Sequence, residues 1–94
     1  MNIAILGGLD RLKRNYEKTG NELGFQVKLF SQKVPNMDKR LNGVNGIVIF
    51  TGMISHAMVK QVTRVAKHCD IPVYRTQSSS VSGLKRCLDS FAPA

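Results

Sequence analysis

Tryptophan is absent from this chain, tyrosine occurs only as Tyr16 and Tyr74, and six acidic residues face fourteen lysines and arginines. Scarce aromatics and the lack of any nucleic-acid-binding motif give no support to sequence-specific recognition of nucleic acid. Cysteine is also scarce. Cys69 and Cys87, both at apolar positions near helix ends, read as small hydrophobes, and a disulfide between them is not expected in a reducing compartment. With two histidines and no Cys-x-x-Cys or His-x-x-x-His pairing, a zinc site is not expected either. No apolar run approaches the roughly 18 residues that cross a bilayer. The start, Met1 to Leu6, lacks the basic opening of a signal peptide and stops at Gly7-Gly8, so a cytoplasmic protein is expected.

What is present fits one small α/β domain spanning residues 1–94. The 43% apolar share is ordinary for a globular protein. The formal charge of +8 creates a field that attracts anions, and nucleic acid, nucleotides, phosphorylated metabolites and acidic proteins are the candidate partners. The plainer reading is that scattered cations keep a small domain in solution.

Ile3 to Leu6 form a nearly unbroken apolar run, as a buried parallel strand does, and Gly7-Gly8 end it. From Leu9 to Leu23 apolar residues fall at helical spacing, with Arg11, Arg14 and Lys18 opposite and Gly24 as a left-handed stop. Phe25 to Phe30 alternates like a half-exposed edge strand. Pro35-Asn36 opens a short helix, Met37 to Leu41, ended by Asn42-Gly43. Gly46 to Thr51 is the most strand-like stretch and belongs in the centre of a sheet. A helix of about fourteen residues starts at Ser55, its N-cap, with Val59, Val62, Ala66 and Cys69 inward. Ile71 to Arg75 reads as a fourth strand. Ser80 to Phe91 is a last helix capped by Ser78, Ser79 or Ser80, and the tail Ala92 to Ala94 frays.

This alternation predicts a three-layer, Rossmann-like (flavodoxin-like) fold with a four-stranded parallel sheet of order 2-1-3-4. In such sheets ligands bind beyond the carboxyl ends of the strands, where the order reverses. Three loops are expected there. Gly7, Gly8, Asp10 and Arg11 form the first, where backbone N–H groups can receive a phosphate; it is neither a dinucleotide fingerprint nor a P-loop. Arg11 sits in a first helical turn, which suits it if it faces an anion or Asp10. An ordinary tight turn with a surface arginine accounts for the same residues. The second loop carries Thr51, Ser55 and His56. His56 is a candidate acid, base or ligand, although no neighbouring acid orients it and a lone histidine is more often structural. The third carries Ser78, Ser79 and Ser80 before a helix start, downstream of Arg75; the plainer reading is that one of them caps the helix while the others are solvated.

In combination, Gly7-Gly8 with Asp10-Arg11, Thr51 with Ser55-His56, and Ser78-Ser79-Ser80 resemble the bacterial family called domain of unknown function 2325, over almost the whole chain. The resemblance implies a small Rossmann-type domain without an established activity, and it points to those ten residues as the site. Members of that family often carry a histidine after the glycine pair. Leu9 stands there in this chain, which weakens any two-histidine metal or haem site.

The favoured expectation is a binding or regulatory module for a phosphate-bearing small molecule or nucleotide, with the cofactor, if any, unknown. The alternative is a small enzyme of phosphoryl or hydrolytic chemistry using His56 with serine hydroxyls. A weaker one is a basic protein that meets nucleic acid through Lys60, Arg64 and Lys67. A homodimer is expected, because Met58, Val65 and Cys87 lie off the main core stripes.

Overall fold

Side chains that alternate along a strand point to opposite faces of its sheet, so a strand apolar at every position needs cover on both sides. The structure, a computed structural model, describes residues 1–30 and 36–91, without the side chains of Met37, Asp38 and Met53. The expectations for Pro35 and for the tail from Ala92 lie outside these residues. The elements are β1 (Asn2–Leu6), α1 (Lys13–Glu22), β2 (Gln26–Phe30), α2 (Met37–Arg40), β3 (Gly46–Phe50), α3 (His56–His68), β4 (Val73–Thr76) and α4 (Val81–Phe91). Short 3-10 turns at Asp10–Leu12 and Thr51–Met53 precede α1 and α3.

All four strands are parallel, in the order β2-β1-β3-β4. This is the α/β architecture and strand order expected from the sequence. β3 is central and every one of its residues is buried, whereas β2 at the edge alternates between exposed and half-buried positions. Each face of the sheet has its own apolar cluster. Ala4, Leu6, Ile47 and Ile49 meet Met58, Val62 and Ala66 of α3 together with Leu41, which follows α2. Ile3, Ile5, Val48 and Phe50 meet Tyr16 of α1 and Leu84 and Leu88 of α4. Burying each large aliphatic side chain contributes about 1.5–3 kcal/mol, and the two clusters together oppose the chain entropy of a small domain.

The helix ends explain where the strands begin. Gly24 takes a left-handed φ of 86°. Phe25 N–H then bonds the Gly20 carbonyl at 2.8 Å and Gly24 N–H that of Asn21 at 3.1 Å. This is a Schellman closure at the expected stop. α3 closes in the same way through Asp70, at φ 59°, with Ile71 N–H on the Ala66 carbonyl at 2.8 Å. Ile71 therefore belongs to the helix cap, and the fourth strand starts at Val73, two residues later than the apolar pattern suggests. Four burial expectations are corrected with it. Met58 and Cys87 are buried in the chain's own core and Val65 packs against it, so these residues give no apolar surplus for a dimer face. Cys69 is exposed at the α3 C-cap rather than inward, because the helix has finished its turn there.

Gly46 is required by close approach. The ring of Phe91 lies where a Cβ on Gly46 would be, and the strand thereby holds the end of α4 against the sheet.

Candidate functional site

A parallel sheet delivers the loops after all of its strands to one edge. Here β1, β3 and β4 release Gly7–Leu9, Thr51–Ser55 and Gln77–Ser80 at that edge, and hydrogen bonds tie the three loops together. Tyr16, buried to 1% exposure within α1, carries its hydroxyl between the first and third. That hydroxyl accepts from Leu9 N–H at 3.2 Å and donates to the carbonyl of Ser79. Thr51 Oγ1 donates to the Thr76 carbonyl at 3.4 Å, joining the second loop to the end of β4. The Tyr16 ring packs on Phe50, with centroids 5.2 Å apart, and both rings press against Gly8. A Cβ at Gly8 would sit 2.9 Å from Tyr16, and the φ of 91° also excludes most side chains.

Each sequence-selected residue has a definite place. Gly7 and Gly8 both have left-handed backbones, and Gly7 N–H already bonds the Phe30 carbonyl at 2.9 Å. Asp10 pairs across one turn with Lys13 at 3.5 Å, both exposed, so its partner is not Arg11. Arg11 is exposed on the 3-10 turn. Ser55 is the N-cap of α3, its Oγ accepting from Met58 N–H at 3.2 Å. The serine loop is bonded to itself. Ser78 Oγ and Ser80 Oγ are 2.7 Å apart, Ser80 Oγ caps Gly83 N–H at 3.1 Å, and Thr76 Oγ1 accepts from Ser78 N–H at 3.3 Å. Ser80 is thus the cap of α4, and Ser79 supplies the carbonyl that anchors Tyr16. His56, the first residue of α3, lines a different surface, a groove with Lys60, Thr63, Arg64, Lys67 and Arg75. Among the described residues no acid forms an ion pair with His56.

Beside the serine loop, between β4 and α4 from Gly83 to Ser90, lies a cleft of about 260 Å³. Arg75 and Arg86 line it together with Thr76, Ser78 and Tyr74, and none of its lining residues is acidic. The start of α4 adds the positive end of the helix dipole. Tyr74 is held by an edge-on contact with Phe91, centroids 4.5 Å apart, while 36% of it stays exposed. Cys87 lies at the cleft's inner wall, and burial pushes its thiol above the ordinary range. No group of three or more His, Cys, Asp or Glu able to hold a metal occurs among the described residues, and no helix there is long and apolar enough to cross a membrane.

Two contributions escaped the sequence reading. By spacing, Tyr16 is one more apolar position on α1. A tyrosine on a core stripe is the available signal, since a buried phenol needs a partner for its hydroxyl. Arg86 falls on the outward face of α4 by spacing, and only the fold brings it to the cleft beside β4.

A family model described as an uncharacterized protein conserved in bacteria (DUF2325) matches residues 2–91. No curated protein and no solved structure matches the chain.

Proposed function

Because the chain belongs to this bacterial family, described without an activity, we propose its function from the geometry of the sheet edge: a non-catalytic module that binds a phosphate-bearing small molecule. The observation that carries the reading is the acid-free cleft between β4 and α4, where Arg86 stands with Thr76, Ser78 and Tyr74 and Arg75 lies at the border. The Arg86 guanidinium presents a planar fork of donors that suits phosphate oxygens, while Arg75 at the border holds its guanidinium on Thr63 of α3. The volume favours a phosphate, sugar phosphate or mononucleotide, since it lies just below the ~300–1,000 Å³ of sites that enclose larger ligands. Tyr74 offers an exposed aromatic face beside the arginines for a base or sugar.

Binding is favoured over catalysis because the cleft holds anion receivers and no acid–base pair. His56, the one sequence candidate for proton transfer, lines the other groove and has no acid partner among the described residues.

A thermal-shift series with inorganic phosphate, sugar phosphates and mononucleotides tests the reading. A ligand at a hundred times its Kd adds about 2.7 kcal/mol, roughly 10–20 °C for a domain this size. Arg86→Gln is expected to remove most of that rise. A flat response to every anion, or an undiminished response in Arg86→Gln, would overturn the assignment.

A further inference from the structure

From Leu41 to Cys69 the chain contains no aspartate or glutamate, yet it carries Lys60, Arg64 and Lys67. These cations recur at i, i+4 and i+7 and therefore share one side of α3, with His56 a turn earlier. The structure joins Arg75 of β4 to that array. Its Nη2 donates to Thr63 Oγ1 at 3.2 Å, and the Thr63 hydroxyl in turn donates to the Val59 carbonyl at 2.7 Å. A guanidinium anchored on a neutral hydroxyl is oriented without having its charge cancelled. The resulting groove, about 410 Å³, has no acidic lining residue.

We propose that this α3–β4 groove is a docking surface for the phosphate backbone of duplex nucleic acid. A single phosphate calls for cations that converge on a point. Here they are strung out instead: Lys60 to Lys67 covers about 10 Å of helix axis, as 1.5 Å per residue requires. A linear polyanion with one phosphate per about 3.4 Å of helix axis on each strand matches such an array. Val59, half-buried, is the one hydrophobic residue that lines the groove among the described residues, little for an acidic protein partner to bury. Met1 and Tyr74 are the large hydrophobics exposed among the described residues, and neither lines it. No Phe, Tyr or Trp lines it either, so stacking on single-stranded bases has only the His56 imidazole there. Recognition is of the backbone and independent of sequence.

The groove is separate from the proposed small-molecule cleft, apart from Arg75 at their shared border, so each can fail alone. The test is fluorescence anisotropy with a labelled 20-base-pair DNA duplex across a salt series. Four cations predict a slope of log affinity against log salt of about −3.6, or a roughly 150-fold weakening when salt rises fourfold. Lys60→Gln/Arg64→Gln/Lys67→Gln should leave a slope of about −0.9. Arg14→Gln/Lys18→Gln/Lys28→Gln removes the same charge elsewhere on the exposed surface and should keep the parent slope. Circular dichroism establishes that both triples are folded, and single Gln variants serve if a triple is not. Equal losses from the two triples would reduce the effect to net charge and overturn the proposal. Absence of duplex binding, or tighter binding of polyglutamate than of duplex, would overturn it as well.

Discussion

Replacing Tyr16 by phenylalanine removes one oxygen and nothing else. The ring stays, so the packing on Phe50 and Gly8 is kept and no cavity opens. What disappears is the link between the first and third loops, a bond accepted from Leu9 N–H and one donated to the Ser79 carbonyl. Each such bond contributes about 0.5–1.5 kcal/mol net, and both loop groups lose a partner at once. The half-buried setting lets water replace part of the loss. The expected destabilisation is therefore about 2 kcal/mol, or roughly 8–16 °C in Tm for a domain of this length. Urea denaturation should show a lower midpoint with an unchanged slope, because the surface exposed on unfolding is the same. Hydrogen exchange should show the Leu9 amide losing protection while the β3 amides lose only the global part. A variant within about 0.5 kcal/mol of the parent, with Leu9 still protected, would refute the linking role of this hydroxyl.

Other expectations concern the core and its thiols. Gly46→Ala should cost about 1–3 kcal/mol by driving a methyl into the Phe91 ring, and adding Phe91→Leu should recover part of that in urea midpoints. An aromatic disulfide reagent should modify exposed Cys69 at once and Cys87 only as fast as the fold opens. Burial raises the Cys87 thiol, so the folded state favours the protonated form. The unfolded chain gives up that proton first, and stability should fall as pH rises past the ordinary thiol range, near 8.5. Cys87→Ala should flatten that part of the stability–pH curve; an equally steep fall in the variant would assign it to other groups.

Strand identity and order were legible because they rest on patterns many residues long. Ile3 to Leu6 and Gly46 to Phe50 are apolar at nearly every position, and only an interior parallel strand needs that. The start of β4 was not legible. Asp70 adopts a left-handed cap usually signalled by glycine, so Ile71 looked like strand when it closes a helix. The candidate loops were placed at the right edge by topology, but their hydrogen bonding was not readable. A cap among Ser78 to Ser80 was legible, but not that Ser80 is the cap and that its hydroxyl also bonds that of Ser78. The partners of Arg75 depend on what α3 and α4 lay beside β4, information that no local spacing contains.

The two apolar clusters on either side of the sheet bear on how the strands find their alignment. In a sheet with one wet face, a slip by one residue exposes apolar groups and buries polar ones, and polarity alone forbids it. Here Ile3 and Ile5 face one cluster and Ala4 and Leu6 the other, so a slipped β1 would still bury only hydrocarbon. Discrimination falls to size. Phe50 must meet Tyr16, small Ala4 must face α3's side, and Gly46 must leave room for Phe91. Correct pairing in this sheet is enforced by volume, through its one glycine, one alanine and one phenylalanine in the two central strands. Those three positions, rather than the more numerous isoleucines, are where an otherwise conservative change would trade one alignment for several.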